Sequence, residues 1–160
     1  EGPTNSVGQR LNRLSKELGL LDQELSILDN EQSNIFWNKT KNLEVFKSLK
    51  SNLLRIVVPI SETLQVIQKF KNYEVKYFID WGGSLIWASF DQLNTKILNE
   101  IKDIVKKHQG YITLIKVEED LKASADIFTI DPIKYKISEK IKRSFDPKRI
   151  FNPGKMYTGI

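Results

Sequence analysis

The feature that most constrains the fold is a pair of strand-like runs on either side of two adjacent glycines. Residues 75–79 and 84–90 are rich in β-branched and aromatic side chains, and they flank Trp81-Gly82-Gly83. Such runs are typical of β-strands, and two successive glycines supply the positive φ angles that a tight hairpin requires. Because so short a turn joins only antiparallel neighbours, the sequence predicts at least one antiparallel strand pair.

Helix-like segments alternate with the other strand-like segments. Apolar residues recur at spacings of three and four, as expected for helices with one buried face. The predicted helices are residues 7–18, a segment capped by Ser33, a segment opened by Ser61, residues 92–108 and residues 132–145; the predicted strands are 25–28, 53–58, 75–79, 84–90 and 111–117, and 118–130 is predicted to be irregular. This pattern predicts an α+β fold, ferredoxin-like in style, with an antiparallel or mixed sheet and helices mainly on one face. A length of 160 residues suits one domain, residues 1–160.

Composition excludes several classes of function. With no cysteine and one histidine, this chain offers no thiolate or iron–sulfur ligands, and we predict no metal site. The net charge of +5 comes from 25 basic and 20 acidic residues dispersed along the chain, a pattern that disfavours nucleic-acid binding without removing it as an alternative. No apolar run approaches the roughly 18 residues of a membrane span. The absence of cysteine is compatible with a cytoplasmic location, which we expect.

Arg55 stands alone within an apolar strand. Alternation of side chains places it on the same sheet face as Leu53 and Val57, opposite the face of its apolar neighbours. An isolated guanidinium on a sheet face can hold a carboxylate through two hydrogen bonds. The alternatives are an ion pair with a nearby acidic residue of the chain and an arginine on a solvated sheet face, and the sequence leaves all three interpretations open.

Four other residues could contribute to a binding site. Asp80 could orient a substrate, although an aspartate before Gly-Gly more often accepts hydrogen bonds from its own turn. Trp81 and Trp87 could stack on a ligand, but aromatic residues of this kind favour a role as core anchors. Tyr111 could donate to an oxyanion or simply pack. His108, the single histidine, is expected at a helix C-terminus, where a cation suits the helix dipole.

Three segments, taken in order, resemble a known family. They are residues 54–59 (LRIVVP), residues 78–87 (FIDWGGSLIW) and residues 145–157 (FDPKRIFNPGKMY). All three are similar to the C-terminal third of the FAD-binding subunit of glycolate oxidase, in the FAD-linked oxidase family. Phe36-Trp37 and the opening Glu1-Gly2 also resemble that family, so the similarity spans nearly the whole chain.

The resemblance implies a two-part flavoprotein. An N-terminal domain, absent from this chain, would hold FAD, and the present chain would be the cap domain that completes the substrate pocket. The implied reaction is hydride transfer from glycolate or a similar 2-hydroxy acid to flavin. Because the absent domain would hold the flavin, the fragment alone would be inactive. The implied partners are its own FAD-binding domain, a second flavoprotein subunit and an iron–sulfur subunit, with peripheral attachment to the inner face of the membrane through that complex.

The resemblance also suggests roles for individual residues. Arg55 becomes the candidate for the substrate carboxylate, and Asp80, Trp81 and Tyr111 become candidates for the rest of the substrate site. Asn152, Gly154 and Lys155 become candidates for contact with the cofactor, since they would return the chain to the FAD domain.

One segment departs from the family pattern. Where the family has a strand similar to Gly-Gly-His-Ala-Thr-Arg-Phe, this chain has Gln-Gly-Tyr-Ile-Thr-Leu-Ile at residues 109–115. Tyr111 and Leu114 therefore replace the histidine and the arginine. The alternative to an enzyme is a non-catalytic subunit that keeps the fold and holds a partner flavoprotein.

Overall fold

A computed structural model of the chain places the hairpin around Gly82-Gly83 at the edge of a four-stranded sheet. The strands are β1 (Asn52–Val57), β2 (Val75–Asp80), β3 (Leu85–Phe90) and β4 (Tyr111–Lys116), and their order across the sheet is β2-β3-β1-β4. β1 pairs antiparallel with β3 and with β4, and β2 pairs antiparallel with β3. The prediction of an antiparallel or mixed sheet is therefore confirmed, and all three strand pairs are antiparallel.

The structure describes residues 2–19, 26–47, 52–129, 131–155, 157 and 160. These residues fall into two compact units, Glu1–Val45 and Phe46–Ile160. The first unit contains α1 (Thr4–Gly19) and α2 (Asn30–Lys41), neither of which has a buried residue. The second contains the sheet, so the features that position a site lie there, and the prediction of a single cap domain over 1–160 stays a prediction.

The second unit has the chain order of a ferredoxin-like fold. It contains α3 (Thr63–Phe70), α4 (Thr95–Lys107), α5 (Glu119–Ser124) and α6 (Pro132–Phe145), with short 3₁₀ turns at Ile60–Glu62 and Trp81–Gly83. A third 3₁₀ turn, Glu44–Phe46, spans the boundary between the two units. Successive elements β1-α3-β2-β3-α4-β4 form two βαβ halves whose strands interleave in the sheet. The predicted fold class is confirmed. Within the described residues, no helix has both the length and the apolar character needed to cross a bilayer.

The hydrophobic core lies between one face of the sheet and helices α3 and α4. Alternate residues of each central strand point into it, as the period of two along a strand requires. Its fully buried members are Leu54, Ile56, Val66, Phe70, Ile86, Ala88, Phe90, Leu98 and Ile101. Helices thus cover one face of the sheet, as predicted. The opposite face carries Arg55, Trp87 and Thr113.

Two predictions in the first unit are wrong. The strand predicted at 25–28 is not formed, since residues 26–29 are irregular and Leu25 lies outside the described residues. The cap of α2 is Asp29 and not Ser33, because the Asp29 carboxylate accepts the backbone N–H of Gln32 while the Gln32 side chain accepts that of Asp29. This reciprocal arrangement is a capping box, which starts the helix four residues earlier than Ser33 would.

The region predicted to be irregular is partly ordered. α5 lies within it, and Phe128 forms an isolated antiparallel bridge with Thr113 of β4. The backbone N–H of Leu114 donates to the carbonyl of Ile127, and that of Thr129 donates to Ile112. Residues 127–129 therefore extend the sheet beyond β4, a pairing that no local pattern in the sequence indicates.

Candidate functional site

The face of the sheet that points away from α3 and α4 carries the predicted substrate residues; we call it the second face. Strand register and side-chain alternation define its members. One row across the sheet is Phe78, Trp87, Arg55 and Thr113, and the adjacent row is Asp80, Leu85, Val57 and Tyr111. All four predicted substrate residues therefore lie on or beside this face, near the end where the β2–β3 turn is located.

Arg55 is partly buried in the middle of the second face. It lies opposite Trp87 of β3 and Thr113 of β4, and its Cζ atom is 4.8 Å from the centroid of the Trp81 ring. A guanidinium over an indole gains about 0.5–1 kcal/mol at an exposed site. None of the described residues forms a hydrogen bond or an ion pair with Arg55, so the described part of the chain does not provide the alternative ion pair.

The turn that carries Trp81 is strained. Trp81, Gly82 and Gly83 have φ angles of 53°, 63° and 115°, and the left-handed region costs a non-glycine residue on the order of 1 kcal/mol or more. The Asp80 carboxylate accepts the backbone N–H of Trp81 at 2.7 Å, so Asp80 stabilises the turn, as its position before Gly-Gly favours. Trp81 is 56% exposed, and its interpretation as a core anchor is wrong.

The position of this turn is fixed from the helix side of the molecule. The buried hydroxyl of Thr63, at the start of α3, donates to the carbonyl oxygen of Gly83. The backbone N–H of Val58 donates to the carbonyl of Ser84 at 3.0 Å. Sequence reasoning missed Thr63, because its partner lies 20 residues away and no local pattern marks the contact.

Tyr111 begins β4 at the same end of the sheet. It lies opposite Val57 and is 47% exposed. As a diagonal neighbour of Arg55 across the β1–β4 pair, it is within the reach that long and aromatic side chains have on one sheet face. Leu114, the other departure from the family pattern, is 6% exposed and belongs to the helix-side core, so that position does not contribute to the second face.

Asn152, Gly154 and Lys155 lie in an exposed turn after α6. The backbone N–H of Gly154 donates to the carbonyl of Ile160 at 2.7 Å, and that of Lys155 donates to Asn152 at 3.2 Å. A diphosphate is held by converging free N–H groups, and these two N–H groups are already engaged. These two N–H groups of the turn are therefore not available to hold a diphosphate.

Asp146 organises the segment that leads into this turn. Its carboxylate accepts the backbone N–H groups of Ile150 and Phe151, each at 3.0 Å, and lies 2.6 Å from the ammonium of Lys142. The hydrogen bond from Lys142, aided by the two backbone donors, lowers the pKa of Asp146 to about 2. Sequence reasoning recognised Asp146 only as the end of the helix, although an acid at a helix end followed by Pro was a usable signal.

The end of the chain returns to the margin of the second face. The buried ring of Tyr157 lies 6.1 Å from that of Phe128 and 5.9 Å from that of Tyr135. Phe128 pairs with Thr113, which in turn lies opposite Arg55. Tyr157 is therefore connected to the strand that holds Arg55 through Phe128 and Thr113.

His108 has a structural role. It is the C-cap of α4, as predicted, and its Nδ1 atom lies 2.6 Å from a carboxylate oxygen of Glu62. Both side chains are largely buried, and they join the end of α4 to the turn before α3. Within the described residues, no group of three or more histidine, cysteine, aspartate or glutamate side chains could hold a metal ion.

Residues 128–156, which contain α6 and the following turn, match the family described as FAD linked oxidases, C-terminal domain. The chain is also similar to the glycolate oxidase subunit GlcE of Escherichia coli (strain K12), with 28% identity over 128 residues. These matches confirm the predicted resemblance to an FAD-linked oxidase C-terminal domain.

The extent of the similarity to that relative is limited. The alignment covers 78% of this chain and 32% of the relative, so the chain spans about a third of the relative's length. No solved structure matches the chain significantly.

Proposed function

We propose that this chain is the substrate-binding cap domain of an FAD-dependent oxidoreductase that oxidises glycolate or a similar 2-hydroxy acid. The observation that supports this most directly is the guanidinium of Arg55. It is partly buried on a sheet face, 4.8 Å from the Trp81 ring, and no described residue forms an ion pair with it. A partly desolvated arginine without a counter-charge is suited to a carboxylate supplied by a ligand.

Each residue of the second face then has a distinct role. Arg55 holds the substrate carboxylate through two parallel N–H groups, and Trp81 holds the guanidinium plane in place from the side of the turn. Asp80 positions Trp81 through its backbone N–H. Tyr111 borders the α-carbon of the substrate. FAD, held mainly by another domain, supplies the acceptor for the hydride that leaves this carbon.

The tail turn is proposed to face the cofactor domain. Asn152 and Lys155 would contact FAD or its domain through their side chains, and Gly154 provides the left-handed backbone, φ 69°, that the turn requires. The name of the E. coli relative, a glycolate oxidase subunit, supports assembly with partner subunits. We propose a second flavoprotein subunit and an iron–sulfur subunit as those partners, in a cytoplasmic complex attached peripherally to the membrane.

The central test is Arg55→Ala in the full-length flavoprotein. Loss of a charged, two-bond contact worth about 1.5–3 kcal/mol predicts a rise of about ten- to hundredfold in KM for the 2-hydroxy acid. Arg55→Lys keeps the positive charge but lacks the two parallel N–H donors of a guanidinium, so its KM should lie between those of the wild type and Arg55→Ala. Arg143→Ala, at an exposed position of α6, is the matched control and should leave KM unchanged. An unaltered KM in Arg55→Ala would remove Arg55 from the site.

A non-catalytic assembly subunit is the second candidate. The observation that favours it is the apolar stripe of α6, where Ile133, Ile137, Ile141 and Phe145 are all exposed. A surface of this kind is suited to contact with a partner flavoprotein. Purified full-length protein that associates with a flavoprotein, but neither retains FAD nor turns over any 2-hydroxy acid, would favour this candidate over the enzyme.

A further inference from the structure

We infer that the second face selects a 2-hydroxy acid with a bulky apolar side chain over glycolate, an inference that rests on the proposed function. Glycolate carries only hydrogen at the position where larger 2-hydroxy acids carry a side chain. Three features of the second face around Arg55 support this preference.

The first feature is the aromatic lining of the row that contains Arg55. Trp87 lies directly opposite Arg55 on the same face, and Phe78 follows in the next strand. The Phe78 ring stacks on that of Phe46, with centroids 5.6 Å apart. On the side of β3 and β2, the surroundings of the guanidinium are therefore apolar.

The second feature is exposed aromatic surface on both sides of Arg55. Trp81 reaches over the guanidinium from the β2–β3 turn, and Tyr111 is its diagonal neighbour on β4. Both rings are about half exposed. A carboxylate bound to Arg55 would place its α-substituent near these two rings, and an apolar substituent would remove their surface from water.

The third feature is how few polar groups remain for a small, hydrated ligand. Asp80 shares the row of Tyr111, and one of its carboxylate oxygens accepts the backbone N–H of Trp81. Thr113 is the polar neighbour of Arg55 on β4. Beside Arg55, two exposed rings thus accompany one hydroxyl and one partly engaged carboxylate, and this largely apolar lining suits an apolar side chain.

The test compares glycolate, lactate and 3-phenyllactate with the full-length flavoprotein. Dissociation constants are measured by calorimetry and kcat/KM by steady-state turnover. Each added apolar group in a fitting site is worth about 10-fold or more, so we expect both affinity and kcat/KM to rise along the series. Equal or better values for glycolate would overturn the inference.

Variants assign the preference to its residues. Trp81→Ala should reduce the ratio of 3-phenyllactate to glycolate affinity by about tenfold, and Trp37→Ala, an exposed tryptophan of α2, should leave the ratio unchanged. Tyr111→Phe retains the ring and should retain the ratio, whereas Tyr111→Ala should lower it. A ratio that survives both alanine substitutions would show that these rings do not set specificity.

Arg55→Ala separates this inference from the proposed function. If Arg55→Ala weakens every acid by a similar factor, the carboxylate role stands whichever acid is preferred. Binding of glycolate through Arg55 without preference for larger acids would overturn only the inference. A wild-type protein that binds none of the three acids would overturn both.

Discussion

Gly110 lies where the chain passes from α4 into β4, one residue before Tyr111. A Cβ atom added there would lie 2.6 Å from the carbonyl oxygen of Val57 and 2.4 Å from a methyl carbon of Val58. A backbone atom cannot move aside without disturbing β1. We therefore expect Gly110→Ala to lower the free energy of unfolding by about 1–3 kcal/mol, as overpacking does, measured by urea denaturation.

The control for that substitution is Gly8→Ala in α1. No atom lies within 4 Å of the Cβ that alanine would add, and alanine in a helix is favoured over glycine by up to about 1 kcal/mol. Stability should be unchanged or slightly higher. If the two alanine variants behaved alike, close packing at Gly110 would not be the cause.

Asp146 makes part of the stability depend on pH. Its pKa is about 2 in the folded chain, against an ordinary 3.8, so the folded state binds fewer protons than the unfolded state between these values. Its contribution is therefore fully present above about pH 5 and is lost as the pH falls through 3.8 towards 2. Urea titrations of the wild type and of Asp146→Asn should show a stability difference that shrinks across this window. A constant difference would mean that the charge is not responsible.

At the scale of elements, the β2–β3 turn depends on α3. Thr63 holds the carbonyl of Gly83 by a buried hydroxyl, and that turn places Trp81 against Arg55. Thr63→Val preserves the shape of the side chain but leaves the carbonyl without this donor. We expect a loss of about 1–3 kcal/mol and a higher KM for the substrate, since Trp81 would no longer be held.

Thr63→Ser is the conservative variant for this contact. It keeps the hydroxyl, so the KM of Thr63→Ser should lie close to that of the wild type even if its stability falls slightly. Hydrogen exchange at residues 81–84 would report the turn directly. A normal KM and unchanged exchange in Thr63→Val would show that the turn holds its position without α3.

At the scale of the whole molecule, the core belongs to one of the two units. Among the described residues, every buried hydrophobic side chain lies at Phe46 or later in the chain, and neither α1 nor α2 contains a buried residue. A chain truncated to 46–160 should therefore unfold cooperatively, with Tm within a few degrees of that of the intact chain. Circular dichroism during heating measures this, and a broad, non-cooperative transition would contradict it.

Features set by local sequence patterns could be predicted, whereas contacts between residues distant in the sequence could not. The hairpin, the helix over 132–145 and the antiparallel sheet followed from local patterns, because period and turn chemistry act over a few residues. The predicted N-cap of α2, Ser33, was wrong because Asp29 and Gln32 form a capping box that starts the helix earlier in the chain. The bridge between Phe128 and Thr113 could not be predicted, because it joins residues with no local signature.

By itself the sequence determined the four strands of the sheet unit and its helices α3, α4 and α6, the face on which Arg55 lies, and the resemblance to the FAD-linked oxidases. Each of these depends on residue type and short spacing. Only the tertiary structure decided that Trp81 covers Arg55 and that Tyr111 lies on the same face while Leu114 is buried in the core. It also showed that Asn152, Gly154 and Lys155 form an exposed turn closed by its own backbone hydrogen bonds. The physical reason is that strand order and long-range hydrogen bonds bring together residues that no local pattern connects.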